Sequence, residues 1–156
     1  MSRSGSIHRW TIAFAAFVAL AVFAGPSRAA STLDLGAYRG KVVYLDFWAS
    51  WCGPCKQSFP WMKSLQHTYG RRGLVVVAVD LDRDRADAQR FLARFHPDFR
   101  VVYDPVGALA QKYAVAGMPT TLLIDRRGRV RDRHIGFLPS KAAGYERQVE
   151  QLLAQR

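Results

Sequence analysis

The fold class this sequence predicts is an α/β sandwich, a central mixed β-sheet flanked by helices, and three observations predict it. Strand-like and helix-like segments alternate along the chain. The strands are short continuous apolar runs, as in a sheet covered on both faces. The carboxyl-terminal part reads as a hairpin followed by one amphipathic helix. A length of 156 residues suits one compact domain.

The elements follow in order. Lys41 to Trp48 (KVVYLDFW) is apolar or aromatic from Val42 onward except at Asp46, and predicts a buried strand. Cys55, Phe59, Met62, Leu65 and Tyr69 then recur at helical spacing, with Gly70 as the stop and Pro60 predicting a kink. Leu74 to Val79 (LVVVAV) is a second strand, closing on Asp80. Ala86 to Phe95 reads as a helix ended by His96-Pro97-Asp98. Val101 to Tyr103 is a short strand and Ala108 to Tyr113 a short helix. Thr120 to Ile124 (TTLLI) is a strand joined through the turn Asp125 to Gly128 to another, Val130 to Ile135. Tyr145 to Leu153 carries a helical apolar face. This order predicts a sheet mostly parallel at its centre with an antiparallel edge.

Residues 1–29 stand apart. Arg3, His8 and Arg9 precede Thr11 to Gly25, fifteen residues without a charge, and Ser27-Arg28-Ala29 offers a small-x-small site. That order is the secretory signal pattern, with cleavage expected after Ala29. The run is short for a spanning helix, which needs about 20 apolar residues, so an uncleaved anchor is the lesser reading. The expected domains are 1–29, signal peptide, and 30–156, the folded unit, in an extracytoplasmic compartment such as the periplasm.

The full chain carries +11, and residues 30–156 carry +8, with 20 basic against 12 acidic residues. Arg83, Arg85, Arg126, Arg127, Arg129, Arg131 and Arg133 alternate with Asp82, Asp84, Asp125 and Asp132. Interspersed charge reads as a solvated face rather than a phosphate groove, so no nucleic-acid partner is expected.

Cys52 and Cys55, two residues apart at a strand-to-helix junction, admit three readings. A zinc half-site lacks a second pair, and His67, His96 and His134 are scattered singly. A structural disulfide across so short a loop removes little chain entropy. A reversible redox centre is favoured. Cys52 would precede a helix whose unpaired N–H groups and dipole stabilise its thiolate, and Cys55 would lie one turn deeper. Pro54 suits the first helical turn, where its missing N–H costs nothing.

The stretch Asp46 to Lys56 (DFWASWCGPCK) is similar to the active-site segment of thioredoxins. Phe47 to Pro60 (FWASWCGPCKQSFP) resembles still more the exported TlpA/ResA-like branch of the thioredoxin superfamily. The resemblance runs from about Gly40 to the carboxyl end. It implies a thioredoxin fold in which helix 86–95 and strand 101–103 form an insertion before a cis-proline at Pro119. It implies that Met118, in Gly117-Met118-Pro119-Thr120-Thr121, contacts substrate. Trp51, Gly53 and Pro54 complete the expected substrate-binding surface. Asp46, costly to bury as a carboxylate, is expected beneath the second cysteine as its proton acceptor. That branch often has a glutamate three residues after the second cysteine. Ser58 stands there, which argues against a close match to cytochrome c maturation reductases.

The expected activity is two-electron exchange on protein disulfides, chiefly as a reductase, by a monomer without metal or organic cofactor. By resemblance, electrons come from a membrane thiol carrier. An oxidase or isomerase is the near alternative, and a redox-regulated metallochaperone the alternative of another class. Trp48 and Phe59 are assigned to the core, Trp51 to the surface, and Trp61 to neither. The three histidines are read as surface or turn residues.

Overall fold

The computed structural model describes residues 33–155. The signal-peptide expectation for residues 1–29 lies outside these residues. Five strands form one sheet: β1 (Val42–Trp48), β2 (Leu74–Asp80), β3 (Arg100–Tyr103), β4 (Thr120–Ile124) and β5 (Val130–Ile135). The helices are α1 (Gly53–Tyr69), α2 (Arg85–Phe95), α3 (Ala108–Lys112) and α4 (Ala142–Ala154).

The sheet order is β3-β2-β1-β4-β5. β1 pairs in parallel with β2 and β2 with β3, whereas β4 is antiparallel to both β1 and β5. This corrects the expectation of a mostly parallel centre. The change of direction falls beside the central strand, because β4 reaches β1 through the short helix α3 and a loop rather than a full crossover.

β1 is buried along its whole length, and its alternate side chains enter two cores. Val42, Tyr44 and Trp48 face a cluster with Cys55, Phe59, Met62 and Leu65 of α1, Phe91 of α2 and Val149, Leu152 and Leu153 of α4. Val43, Leu45 and Phe47 face the other, with Leu109 of α3, Val77, Val79 and Leu122. Asp46, between Tyr44 and Trp48 in the alternation, belongs to the α1 side of the sheet. The core assignments of Trp48 and Phe59 hold: their rings meet edge to face, centroids 4.7 Å apart, and both touch Phe91.

α1 begins at Gly53, with Cys52 as its N-cap, and continues through Pro60. Pro60 is exposed on the solvent side of α1. His96 ends α2 in the left-handed region, at φ 44°, with its N–H donating to Leu92 O. The hairpin turn forms as expected, with Gly128 at φ 80° and the Asp125 N–H donating to Arg129 O. Among the described residues no helix is long and apolar enough to cross a membrane.

Candidate active site

The site sits at the carboxyl end of β1. Trp48 ends the strand, and Ala49-Ser50-Trp51 carries the chain to the mouth of α1. Asp82, just beyond β2, fastens this loop: its Oδ2 accepts the Ser50 N–H at 2.8 Å and its Oδ1 the Ser50 hydroxyl at 3.0 Å. The Leu81 N–H donates to Trp48 O, joining the same two strand ends.

Cys52 and Cys55 form a disulfide, with Cα atoms 5.3 Å apart. Cys52 Sγ also accepts the Cys55 N–H at 3.3 Å, the capping bond of the helix. The sulfur therefore faces the donor end of α1, which favours negative charge on it. Cys55, one turn along, is fully buried, while Gly53 and Pro54 between them are exposed. Trp51 is 70% exposed beside them, the most exposed large apolar side chain described.

The far marker arrives at the same place. The Met118–Pro119 peptide is cis. Met118 packs half-buried against the cluster that contains both cysteines, and Pro119 is buried. Pro119 O accepts the Gly136 N–H at 2.7 Å, and the Thr120 hydroxyl donates to Gly117 O, so this turn is fixed from both sides.

Asp46 is 1% exposed. Its Oδ1 accepts the Thr121 hydroxyl at 2.6 Å, and its Oδ2 has no hydrogen-bond partner among the described residues. Burial raises the carboxyl to about 7, with the Thr121 bond pulling in the opposite direction. Ser58 is buried with its hydroxyl spent on Cys55 O, so it offers no second acid near the pair.

Three expectations need correction. Asp82 and Asp125, read from their alternation with arginines as part of a solvated face, are both buried. Asp82 is turned inward by Ser50, and Asp125 by the turn it closes. His134 is not a surface residue: it stacks on Tyr145 with centroids 4.5 Å apart, and burial holds its imidazole below the ordinary value against the pull of Asp132. His67 and His96 are exposed as expected, His96 in a turn. Trp61, left unassigned, packs between Tyr44, Phe137 and Tyr145.

Four residues of the site escaped the sequence reading: Ser50, Thr121, Tyr44 and Asp80. The Tyr44 hydroxyl lies 3.3 Å from Thr121 Oγ. Asp80 is buried and raised to about 8 by burial and, against a hydrogen bond from the Asp82 N–H, by the neighbouring Asp82 carboxyl, so at neutral pH it is largely protonated while Asp82 serves Ser50. The available signal was the pair Asp80-Leu81-Asp82 at the end of an apolar strand.

The Redoxin family profile matches residues 21–153. The thiol-disulfide oxidoreductase ResA of Geobacillus kaustophilus is 34% identical over 118 residues, which cover 76% of this chain and 67% of that protein. ResA of Geobacillus thermodenitrificans is 37% identical over 94 residues, 60% of this chain and 54% of that protein. The chain thus spans between about half and two thirds of these relatives' length. A provisionally named thiol:disulfide interchange protein DsbE from Chlorobium tepidum superposes with a TM-score of 0.76 at 49% identity, covering 78% of this chain and 86% of that one. The exposed lipoprotein thioredoxin Etrx1 of Streptococcus pneumoniae superposes with a TM-score of 0.65 at 31% identity, covering 76% of this chain and 90% of that one.

Proposed function

Because the chain belongs to the Redoxin family, within the TlpA/ResA-like thioredoxin superfamily, we propose that it is a thiol–disulfide oxidoreductase acting on protein disulfides. The observation that carries this reading is the seat of Cys52: its sulfur caps the donor end of α1 and is bonded to a fully buried Cys55.

The reaction follows from that seat. In the reduced protein, Cys52 is the thiolate, held by the Cys55 N–H and the helix dipole. It attacks one sulfur of a substrate disulfide, and the other substrate sulfur leaves as a thiolate that takes a proton. Asp46, ionised, accepts the Cys55 proton. The Cys55 thiolate then attacks Cys52 Sγ, releases the second substrate thiol and closes the Cys52–Cys55 disulfide. Two electrons pass to the substrate; the proton held on Asp46 returns to one departing sulfur, solvent protonates the other, and two thiols are left. Trp51, Gly53, Pro54 and Met118 offer the surface on which the substrate chain lies, and the cis-proline turn at Pro119 holds Met118 beside it.

We read the direction as reductive, from the Gly-Pro pair between the cysteines, and the location as extracytoplasmic, from the signal pattern of residues 1–29. Resemblance then assigns re-reduction of the pair to a membrane thiol carrier. Turnover of insulin disulfides with dithiothreitol tests the activity: the protein accelerates precipitation of the insulin B chain, and Cys52→Ser abolishes the effect. No acceleration by the intact protein would refute the reading. Equilibration against a glutathione series tests the direction, with a potential well below the glutathione couple expected.

A further inference from the structure

The carboxylate of Asp46 is not placed by its own strand alone. β4 runs antiparallel to β1 with Thr121 directly opposite Asp46, so both side chains stand on the same face of the sheet. The Thr121 hydroxyl is 2.6 Å from Asp46 Oδ1 and 3.3 Å from the Tyr44 hydroxyl. It has one hydrogen to give. The short contact to the carboxylate claims it, so the Tyr44 O–H donates to Thr121 Oγ in return. Burial first, then the neighbouring Asp46, hold the Tyr44 phenol well above its ordinary value, so it keeps that hydrogen. A directed chain results, from Tyr44 to Thr121 to Asp46 Oδ1.

The chain stops there. Asp46 Oδ2 is buried without a partner among the described residues. A proton arriving at this carboxyl meets one oxygen already engaged and one bare, and the bare one holds the less stabilised charge.

We propose that Thr121 is the positioning residue of the proton relay: its hydroxyl, oriented by Tyr44, selects Oδ2 of Asp46 as the oxygen that takes the Cys55 proton and sets the pH range in which Asp46 can take it. The proposal rests on the reading of Asp46 as the acceptor given above. The titratable groups on this side of the sheet include Tyr44 on β1, Asp80 on β2, Cys52, Cys55 and Tyr69 at α1, Tyr145, Glu146 and Glu150 on α4, and Asp132 and His134 on β5. Burial keeps the His134 imidazole below its ordinary value, against the pull of Asp132. Burial and the Thr121 bond are the two influences acting on the Asp46 carboxyl. Thr121 is the one that favours ionisation, so its removal leaves burial unopposed.

Resolution of a mixed disulfide isolates the step. Full-length reduced protein is mixed with dithiobis(nitrobenzoate), which leaves thionitrobenzoate on Cys52 and releases one yellow thiolate, and release of the second by attack of Cys55 is followed from pH 5 to 9. Thr121→Val replaces the hydroxyl by a methyl group of similar size. The rising limb of its rate profile moves up by about one pH unit, so the rate at pH 7 falls by about fivefold and recovers above pH 8. Thr121→Ser keeps the wild-type profile. Tyr44→Phe moves the limb the same way by less. If Thr121→Val does not fold, the Tyr44→Phe profile and the carbon-13 titration of the Asp46 carboxyl in that variant give the same answer. An unmoved limb in Thr121→Val, with Asp46→Asn altering the profile, overturns the role of Thr121 and leaves Asp46 standing. An Asp46→Asn profile identical to wild type overturns both.

Discussion

Asp46 and Asp125 are both buried, at opposite ends of the central strand pair, and they are treated in opposite ways. Asp125, just past the end of β4, is 7% exposed. Its Oδ1 accepts the N–H groups of Arg127 and Arg129, and its Oδ2 faces the side chains of Arg129 and Arg131. Burial pushes its carboxyl up, but the backbone bonds from Arg129 and Arg127 and the Arg129 side chain bring it on balance below the ordinary value. Asp46 has one neutral hydroxyl and one bare oxygen, and rises to about 7. A carboxylate that closes a turn is supplied with every donor it can use. One proposed to take up and release a proton is kept short of them. A cavity of about 380 Å³ lies at the Asp125 end, lined by Asp125, Arg126, Arg127, Arg129, Leu152 and Gln155.

The contrast predicts opposite responses to acid. An aspartate raised in the folded state costs nothing below the unfolded value near 4, and destabilises increasingly as pH rises toward 7. The wild-type protein should thus lose stability relative to Asp46→Asn between about pH 4 and 7, by up to about 4 kcal/mol, and the difference should stay flat above. Urea unfolding of both proteins at several pH values measures it. A difference independent of pH would show that Asp46 is not held protonated. Asp125 is lowered, so its contribution is present above pH 4 and fades as acid titrates the folded carboxylate. The difference between wild type and Asp125→Asn should shrink below pH 4.

The next effect is on rate. Asp46→Asn should slow attack of Cys55 on a mixed disulfide about 100-fold at pH 7, the usual scale for a lost general base. Single-turnover release of a chromogenic thiol reads it, and a rate within twofold of wild type would break the comparison at its functional end. Asp125→Ala should cost ~2–3 kcal/mol of stability by orphaning two backbone N–H groups, while the pH profile of exchange stays in place. A shifted profile would mean the two ends are coupled. The smallest effect is expected at Asp82. Asp82→Ala frees the Ser50 N–H and hydroxyl, and should lower insulin turnover by about three- to tenfold through looser placement of Trp51 and Cys52. Unchanged turnover would make that fastening purely structural.

The strands were legible because β1, β2 and β4 are mostly apolar runs, and the disulfide because spacing and helix-start chemistry coincide at Cys52. Asp46 was legible as an intruder among Val42, Tyr44 and Trp48. Its partner was not. Thr121 lies 75 residues away, and only the register between antiparallel strands brings it opposite. Whether β4 ran with or against β1 could not be read from its composition, which is equally apolar either way. Asp82 was obscured by its neighbours: in a run of alternating charge, nothing local marks the one member whose carboxylate turns inward. His134 was lost for a similar reason. β5 is exposed at alternate positions, and the stacking ring on Tyr145 comes from a different element.

The guanidinium of Arg126 donates to Gly40 O at 2.6 Å, to Leu153 O at 3.1 Å and to Gln155 O at 3.2 Å. It thereby gathers the approach to the first strand and the finish of the last helix into one knot, on the pole away from Trp51. A tag, tether or fusion partner joined at the carboxyl end, next to Gln155, would hang behind the molecule and leave the sulfur-bearing pole clear.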